Sequence, residues 1–252
     1  MEKTFQHWIM GIKDDDEDIN LDNDLPFEIL YEDEEMVAIN KPYGYFVHRT
    51  MLNNTASEIA LYKLRDQLGK KVYPVHRLDR KTSGVLLYAL SPDRLRLMND
   101  LFMGGQVKKE YRAIVRGYTP DQLTIDYALT NDSGKVQDAL THLVTLQLTE
   151  VPIPSGKFQT SRYALVSLFP ETGRMHQLRK HMSHIFHPII GDRPHGCNKQ
   201  NRLFLENFGL KEMMLHAYSL SFIHPIHKDL VTIEASFSSE FKRMADALGF
   251  VL

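Results

Sequence analysis

The chain has 252 residues, of which 43% are hydrophobic and 25% are charged, a composition typical of a globular protein with its own core. No apolar run approaches membrane-spanning length, and the first 18 residues lack the apolar segment of a signal peptide, so we expect no membrane association. Cys197 is the single cysteine, which excludes a disulfide framework and a thiolate-rich metal site and favours a cytoplasmic location.

The charges are distributed unevenly along the chain. Residues 1–35 contain 13 acidic and two basic residues, a local balance of −11. Because the whole chain has 30 basic and 32 acidic residues, 28 basic and 19 acidic residues follow, a balance of +9. A basic body suggests a polyanionic partner such as RNA or DNA, although an ordinary solvated surface with an acidic arm would give the same numbers.

The acidic run KDDDEDINLDNDLP predicts that residues 1–26 are a flexible extension, and residues 27–252 are expected to form one folded domain. Thr55 and Glu58 have the spacing of a capping box before the first helix. The apolar patterns predict strands at FEILYED, MVAINKP, KKVYPV, GVLLYAL, KKEYRAIVRG, HLVTLQL, RYALVSLFP, MLHAYSLSF and LVTIEASF, and helices at EIALYKLRDQL, SPDRLRLMNDLF, MHQLRKHMSHIF and SSEFKRMADALG. Strands outnumber helices and often follow one another, which favours an α+β fold with a largely antiparallel sheet.

A polar loop, HRLDRKTSG, separates two of the predicted strands. It places Asp79 between Arg77 and Arg80, whose guanidinium groups are expected to stabilise the charge of the carboxylate. Such strand–loop–strand junctions commonly carry catalytic groups. An ion-pair network that only organises the loop would have the same sequence, so both interpretations stay open at this point.

A second polar cluster, ETGRMHQLRKHMSHIFHPIIGDRPHG, is rich in arginine and histidine. We expect a helix that opens at Thr172-Gly173, with Arg179 at the border of its buried face and able to reach a carboxylate. Four histidines within twelve residues raise the alternative of a zinc site. Their neighbours are arginines and lysines, which repel a cation, so we expect no metal.

These clusters resemble motifs of the RluA-type pseudouridine synthases. HRLDRKTSGVLL resembles the motif with the catalytic aspartate, and NKPYGYFVH, KKEYRAIVRG, TGRMHQLRKHMSHIFHPIIGD and MLHAYSLSFIHP resemble four further motifs in the family's order. The resemblance covers roughly residues 27–240. It implies an α+β pseudouridine synthase fold with a central, mostly antiparallel mixed sheet, flanking helices and loops, and a catalytic cleft across the sheet. No counterpart of the S4-like RNA-binding domain of many relatives is expected here.

The resemblance also implies roles for individual residues. Asp79 takes the place of the catalytic aspartate, Arg179 pairs with it, and Tyr111 corresponds to the active-site tyrosine, although a strand tyrosine could equally be a core aromatic. Arg77 matches the arginine that occupies the place of a flipped base, with a plain phosphate or carboxylate contact as the alternative. Leu215 resembles the apolar residue beneath the base, where simple core packing is the alternative.

Further substrate-binding residues are expected around these. His76 and Thr82, together with Ser83, are expected to support the catalytic loop, and Arg174 and Lys41 to contact phosphates. The resemblance implies isomerisation of uridine without a cofactor, with tRNA as the partner and uridine 65 of the T stem as the target. Ribosomal RNA or another tRNA position is the alternative target. We expect a monomer, because the RNA supplies the large partner surface.

Two other classes of function are left open by the residues themselves. Ser83, His76 and Asp79 could supply a hydrolase triad, but three groups in one short loop rarely reach triad geometry, and the sequence has no G-x-S-x-G motif. A non-catalytic RNA-binding module would keep the basic surface without needing Asp79.

Overall fold

The computed structural model describes residues 19, 21, 25–48 and 56–252. The strands are β1 (Ile29–Glu32), β2 (Met36–Lys41), β3 (Tyr73–Pro74), β4 (Ser83–Ala89), β5 (Lys108–Arg116), β6 (Gln122–Asp126), β7 (Leu129–Thr130), β8 (Val136–Gln137), β9 (Leu140–Val151), β10 (Ser161–Pro170), β11 (Leu215–Ile223) and β12 (Leu230–Glu234). The helices are α1 (Ala60–Leu68), α2 (Pro92–Met103), α3 (Gln177–His184), α4 (Asn198–Phe208) and α5 (Ser239–Ala247), with a 3-10 turn at Ala56–Glu58.

One large mixed sheet organises the described part of the chain. Its strands run in the order β1-β2-β4-β11-β5-β10-β9-β6, with β12 paired to β11 and β3 paired to β4. The β4–β11 pair is parallel, and the other pairs in this sheet are antiparallel. This arrangement confirms the expected α+β class with a mostly antiparallel mixed sheet.

The parallel pair in the middle of the sheet is short and very close. Its register joins Ser83 to His216 and Gly84 to Ala217. Gly84 has a φ of +108°, and a Cβ atom there would lie 2.1 Å from the carbonyl oxygen of Ala217. Only glycine fits this position, because both the backbone conformation and the approach of the two strands exclude a side chain.

The helices pack against both faces of the sheet. On one face, α1 buries Ala60 and Leu64 against β2 and β4, and α3 buries Leu178 and Met182 against β5 and β10. Tyr111 of β5 packs against both of these clusters, so it lies between the two helices. The other face is covered in part by α5, whose apolar residues form a cluster with residues of β5 and β10. None of the helices in the described residues is long and apolar enough to cross a membrane.

Several predicted boundaries differ from the structure. The helix expected from Thr172 begins only at Gln177, and the strand KKVYPV is reduced to Tyr73–Pro74. Helix α4 and strands β6 to β8 were not predicted. Thr55 of the expected capping box lies outside the described residues, as does most of the acidic extension over residues 1–26, which stays a prediction.

Candidate active site

A cavity of about 700 Å³ lies beside the three neighbouring strands β4, β11 and β5. Its volume falls in the range of pockets that enclose small organic groups. The walls come from the loop before β4, the end of α2, β5, the β10–α3 connection and the start of β11. The lining includes the side chains of His76, Arg77, Asp79, Thr82, Phe102, Met103, Lys109, Tyr111, Arg174, His176, Arg179 and Leu215.

Asp79 and Arg179 form an ion pair at this cavity. Nη1 of Arg179 donates to Oδ2 of Asp79 at 3.1 Å, although the two residues are 100 positions apart in the sequence. The side chain of Arg179 is only 2% exposed, whereas that of Asp79 is 20% exposed. The arginine is therefore a buried anchor, and the carboxylate is the partner that faces the cavity.

Asp192 holds the other side of the same guanidinium group. Nε and Nη2 of Arg179 donate to Oδ2 and Oδ1 of Asp192, both at 2.9 Å. Burial alone would lower the pKa of Arg179, but the hydrogen bonds and charges of Asp192 and Asp79 raise it above its usual range. The two-pronged contact fixes the plane of the guanidinium group and hence the direction of its remaining nitrogen, Nη1, toward Asp79. Sequence reasoning missed Asp192; the signal was the IIGD segment at the end of the third motif.

His176 stands on the other side of Asp79. Its Nε2 lies 3.9 Å from Oδ2 of Asp79, and its Nδ1 lies 2.9 Å from Nε2 of His195. His176 is the N-cap residue of α3 and has a left-handed backbone conformation, with a φ of 55°. Sequence reasoning included His176 in the basic cluster but assigned it no contact with the carboxylate.

Arg80 directs its guanidinium group to partners other than the Asp79 side chain. Nε of Arg80 donates to the carbonyl oxygen of Gly44 at 3.0 Å, and Nη2 lies 3.5 Å from the Glu58 carboxylate. The guanidinium group also lies 4.5 Å from the centre of the Phe46 ring. Arg80 thus ties the loop that carries Asp79 to the preceding segment, and the cation that forms an ion pair with Asp79 comes from α3.

Lys41 is likewise placed differently from the expectation. A phosphate contact was expected, but the side chain is fully buried. Its Nζ donates to three backbone carbonyl oxygens, those of Pro42, Tyr45 and Arg80, at 2.9, 3.0 and 3.2 Å. Burial lowers the pKa of Lys41 to about 7, with the nearby charge of Asp79 opposing that shift. The lysine braces the loop from inside and is out of reach of an RNA backbone.

His76 is held within the loop architecture. Its ring stacks on Phe102 at 5.2 Å between centroids, and its Nε2 accepts a hydrogen bond from the Leu87 backbone N–H at 3.1 Å. Burial, followed by the charge of Lys109, lowers the pKa of His76 to about 4, so the ring is neutral at pH 7. The backbone N–H of Thr82 donates to the carbonyl oxygen of Asp79 at 3.0 Å and closes the turn.

The geometry contradicts the hydrolase alternative. The hydroxyl of Ser83 is paired with Nδ1 of His216 at 2.8 Å, and Nε2 of His216 faces the carbonyl oxygen of Ala235 at 3.3 Å. His76 is engaged with Phe102 and the Leu87 backbone, as described above. Ser83, His76 and Asp79 therefore do not form a relay, and the Ser83–His216 bond joins β4 to β11.

Tyr111 and Leu215 both line the cavity from adjacent strands. Burial, and then the charge of Asp79, raises the pKa of Tyr111 above its usual range, so its hydroxyl stays protonated at neutral pH. Leu215 is buried at the start of β11, next to the strand that carries Tyr111. The two side chains give the cavity an aromatic and an aliphatic surface beside the carboxylate.

Two arginines lie at the wall of the cavity. Arg77 is exposed, and among the described residues its side chain makes no hydrogen bond or ion pair. Nε of Arg174 donates to the carbonyl oxygen of Asp138 at 2.9 Å, and the residue is partly buried at the cavity wall. Lys109, which sequence reasoning did not select, adds a third cation to the lining.

The histidines of the second cluster do not converge on a metal site. His181 faces Thr141 and the Tyr127 carbonyl, His187 faces the Arg116 carbonyl, and His184 stacks on Tyr127.

A different group, formed by Asp33, His224 and His227, lies just after the C-terminal end of β11. The side-chain atoms of these residues that could bind a metal lie within 4.8 Å of one another. There Nδ1 of His224 accepts two backbone N–H groups, and its Nε2 lies 3.1 Å from Oδ2 of Asp33 without the geometry of a hydrogen bond. The group is a cluster of closely spaced polar side chains.

Comparison with known proteins identifies the family of the chain. The profile of the family described as RNA pseudouridylate synthase matches residues 35–184. The chain is 44% identical over 234 residues to tRNA pseudouridine synthase C of Haemophilus influenzae, covering 88% of this chain and 98% of that protein. It is 43% identical over 234 residues to tRNA pseudouridine synthase C of Yersinia pestis, covering 88% and 91%.

Solved structures show the same fold. The human RNA pseudouridylate synthase domain containing 4 protein matches with a TM-score of 0.68 and 26% identity, covering 88% of this chain and 92% of that one. The human RNA pseudouridylate synthase domain containing 1 protein has the same TM-score at 22% identity, over 91% and 97%, which shows the fold alone. Because the family profile spans more than half of the chain and the named relatives are over 40% identical across most of it, the chain belongs to the RNA pseudouridylate synthase family of isomerases.

Proposed function

We propose that this protein isomerises uridine to pseudouridine in tRNA, at uridine 65 of the T stem. The single observation that carries the reaction is the carboxylate of Asp79, fixed by the buried Arg179 at the wall of a cavity large enough for a nucleotide base. The choice of tRNA is supported by the names of the two bacterial relatives, which are over 40% identical to this chain.

Asp79 is the reactive group in this proposal. Both of its side-chain contacts with described residues are made through Oδ2, so Oδ1 is the oxygen that meets the substrate. It either attacks C1′ of the ribose or removes the 2′ proton. The N1–C1′ bond breaks, the detached uracil turns, and C5 bonds to C1′. In the first route the bond between Asp79 and C1′ breaks as the C5–C1′ bond forms, and in the second route Asp79 returns the proton to C2′. The proton lost from C5 is balanced by one gained at N1. No electrons are transferred and no group donor is consumed, so the reaction needs no cofactor.

Tyr111 and Leu215 are the proposed contacts of the detached base. An aromatic ring and an aliphatic side chain can hold a flat base by stacking and packing while it turns. The raised pKa keeps the Tyr111 hydroxyl protonated. The hydroxyl can therefore take the proton from C5 only if it passes its own proton to another acceptor at the same time. Neither role requires Tyr111 to be ionised before the substrate arrives.

Access requires the uridine to leave its stem. A base in a duplex cannot reach a side chain in a cavity, so the enzyme must hold the nucleotide in a flipped-out state. Arg77 is exposed at the wall, two residues before Asp79, and its planar guanidinium group can occupy the vacated place. Arg174 is the proposed phosphate contact, while His76 and Thr82 maintain the conformation of the loop.

We further propose that the protein is a monomer and acts in the cytoplasm.

The test is to incubate the purified protein with tRNA transcripts, without added metal or cofactor, and to map pseudouridine. Asp79→Asn keeps the shape of the side chain but removes its charge, and we expect turnover to fall by about a thousandfold or more while RNA binding is retained. Asp246→Asn, at an exposed position of α5, is the matched control. Wild-type activity in Asp79→Asn would overturn the mechanism, and product at another uridine would correct the target.

A further inference from the structure

His176 has a backbone conformation that its position does not explain. The N-cap residue of a helix is usually extended, with a side-chain oxygen that accepts an N–H group of the first turn. His176 instead has a φ of 55° and a ψ of 28°, and its side chain makes no capping hydrogen bond. This region is strained for a residue other than glycine, and such residues cluster at functional sites.

The imidazole of His176 is held by a second histidine. Nε2 of His195 lies 2.9 Å from Nδ1 of His176, and the two rings meet edge to face. The backbone N–H of His195 donates to Oδ1 of Asp192 at 3.2 Å, so one buried carboxylate positions both His195 and Arg179. Burial lowers the pKa of His195 to about 4, and the ring is therefore neutral and carries a single proton at pH 7.

The charge of Asp79 decides how the protons are arranged. Of the two facing nitrogens in the histidine pair, one must donate and the other accept. Nε2 of His176 lies 3.9 Å from the Asp79 carboxylate, so a proton on that nitrogen is attracted, whereas a lone pair would be repelled. His195 then donates from Nε2 to Nδ1 of His176, and His176 presents its Nε2–H to Asp79.

We propose that His176, oriented by His195, is a positioning residue that donates a hydrogen bond to Oδ2 of Asp79 when substrate fills the cavity. The present separation of 3.9 Å is longer than a hydrogen bond, and catalytic contacts of this kind often tighten only when substrate is bound. Together with Arg179, the contact would occupy Oδ2 from two sides and leave Oδ1 to react. This inference rests on the proposed function, because it assigns a helper to the same carboxylate.

Two substitutions at His176 separate this role from a structural one. His176→Asn keeps a polar atom near the Nδ1 position and suits the left-handed backbone better than histidine, but it cannot reach Asp79. His176→Gln reaches the Nε2 position but suits the backbone less. We expect kcat of His176→Asn to fall about 10- to 100-fold with KM and thermal stability maintained, and His176→Gln to recover part of that loss.

A purely structural role predicts the opposite order, with asparagine the better replacement. His195→Leu should lower kcat in the same way, and the double variant with His176→Asn should be no worse than His176→Asn alone, because His195 acts through His176. His227→Asn, on the exposed turn before β12, is the control. If the wild type converts uridine and His176→Asn keeps its kcat, the inference is wrong; if the wild type makes no pseudouridine in any tRNA, the proposed function fails and takes the inference with it.

Discussion

Arg179 is shared by two carboxylates, and this arrangement sets the electrostatics of the site. The buried Asp192 takes two of its nitrogens and Asp79 takes the third, so the three side chains together carry one net negative charge. A buried guanidinium group needs such compensation, because an unpaired charge in the interior is costly. Asp192 therefore fixes the arginine, and Asp79 meets it through a single oxygen, Oδ2.

Replacing Asp192 tests this division of roles. In Asp192→Asn the arginine loses its buried counter-charge and the rigid two-pronged contact, so we expect the free energy of unfolding to fall by about 3 kcal/mol. Turnover should fall about 10- to 100-fold, because Arg179 no longer points firmly at Asp79. Urea denaturation and pseudouridine mapping measure the two effects. Asp132→Asn, an exposed carboxylate, should change neither; a fully stable and active Asp192→Asn would contradict the anchoring role.

The sequence predicts some of these residues and not others, for physical reasons. Asp79 is predicted by the motif to which it belongs. Arg179 is predicted by its angular position, at the border of the buried face of the helix. Lys41 and Arg80 were misplaced because a list of local charges does not show which cation turns into the protein to bind carbonyl oxygens. Asp192 was missed because its importance depends on the burial of Arg179, a tertiary property.

At the scale of elements, the C-terminal end of α3 has an unusual residue. The backbone N–H groups of Phe186 and His187 donate to the carbonyl oxygens of Ser183 and Met182, which is the pattern of a Schellman motif. The residue in the left-handed position is usually glycine, but here it is Phe186, with a φ of 65° and 85% of the residue exposed. Pro188 follows, and it helps to end the helix.

Phe186→Gly should therefore stabilise the protein. Glycine removes the strain of the left-handed backbone, and little packing is lost because the ring is exposed, so we expect a gain of about 0.5–1 kcal/mol in the free energy of unfolding. Phe186→Ala keeps the Cβ atom and the strain, and it should bring no gain. Thermal and urea denaturation provide the measurement. Destabilisation by glycine would show that the ring packs against the protein after all.

Element boundaries show where sequence patterns are insufficient. The segment before Gln177 was assigned to α3, but the side chain of Gln177 instead accepts hydrogen bonds from Thr172 and from the Arg174 backbone, which keeps that segment irregular. Helix α4 begins after Cys197, whose side chain forms no capping hydrogen bond, so no capping residue in the sequence marks the start of this helix. Its end does have one, the left-handed Gly209.

At the scale of the whole molecule, Glu212 links the stability of the fold to pH. Burial, and then repulsion from Glu240, raises the pKa of Glu212 from 4.5 to about 7, with Arg243 and Lys41 opposing the shift. The folded state therefore binds a proton that the unfolded state has lost between these values. The stabilisation from this group is complete below about pH 4.5 and is lost as the pH rises through 7.

Glu212→Gln should remove this pH dependence. Since glutamine does not titrate, we expect the variant to lose less stability than the wild type as the pH rises from 4.5 to 7, and to be the more stable of the two above pH 7. Urea denaturation at a series of pH values measures the difference. Glu206→Gln, at an exposed position of α4, is the control. Parallel pH profiles for Glu212→Gln and the wild type would contradict the assignment.

The fold class was predictable because strands follow one another in the sequence, but the strand order was not. Adjacent predicted strands do pair in β1–β2 and β9–β10, which local patterns suggest. The insertion of β11 between β4 and β5 depends on the Gly84 approach and on burial of both strands, and no local pattern encodes it.

That insertion has a consequence for biosynthesis. The ribosome makes Asp79 long before Leu215, and the strand that completes the cavity pairs with β4 across more than 130 residues of chain. Contacts so distant in sequence form late, because the intervening chain must first be ordered. The nascent protein thus carries Asp79 for most of its synthesis without a complete cavity around it, and the proposed activity on RNA would become possible only near the end of translation.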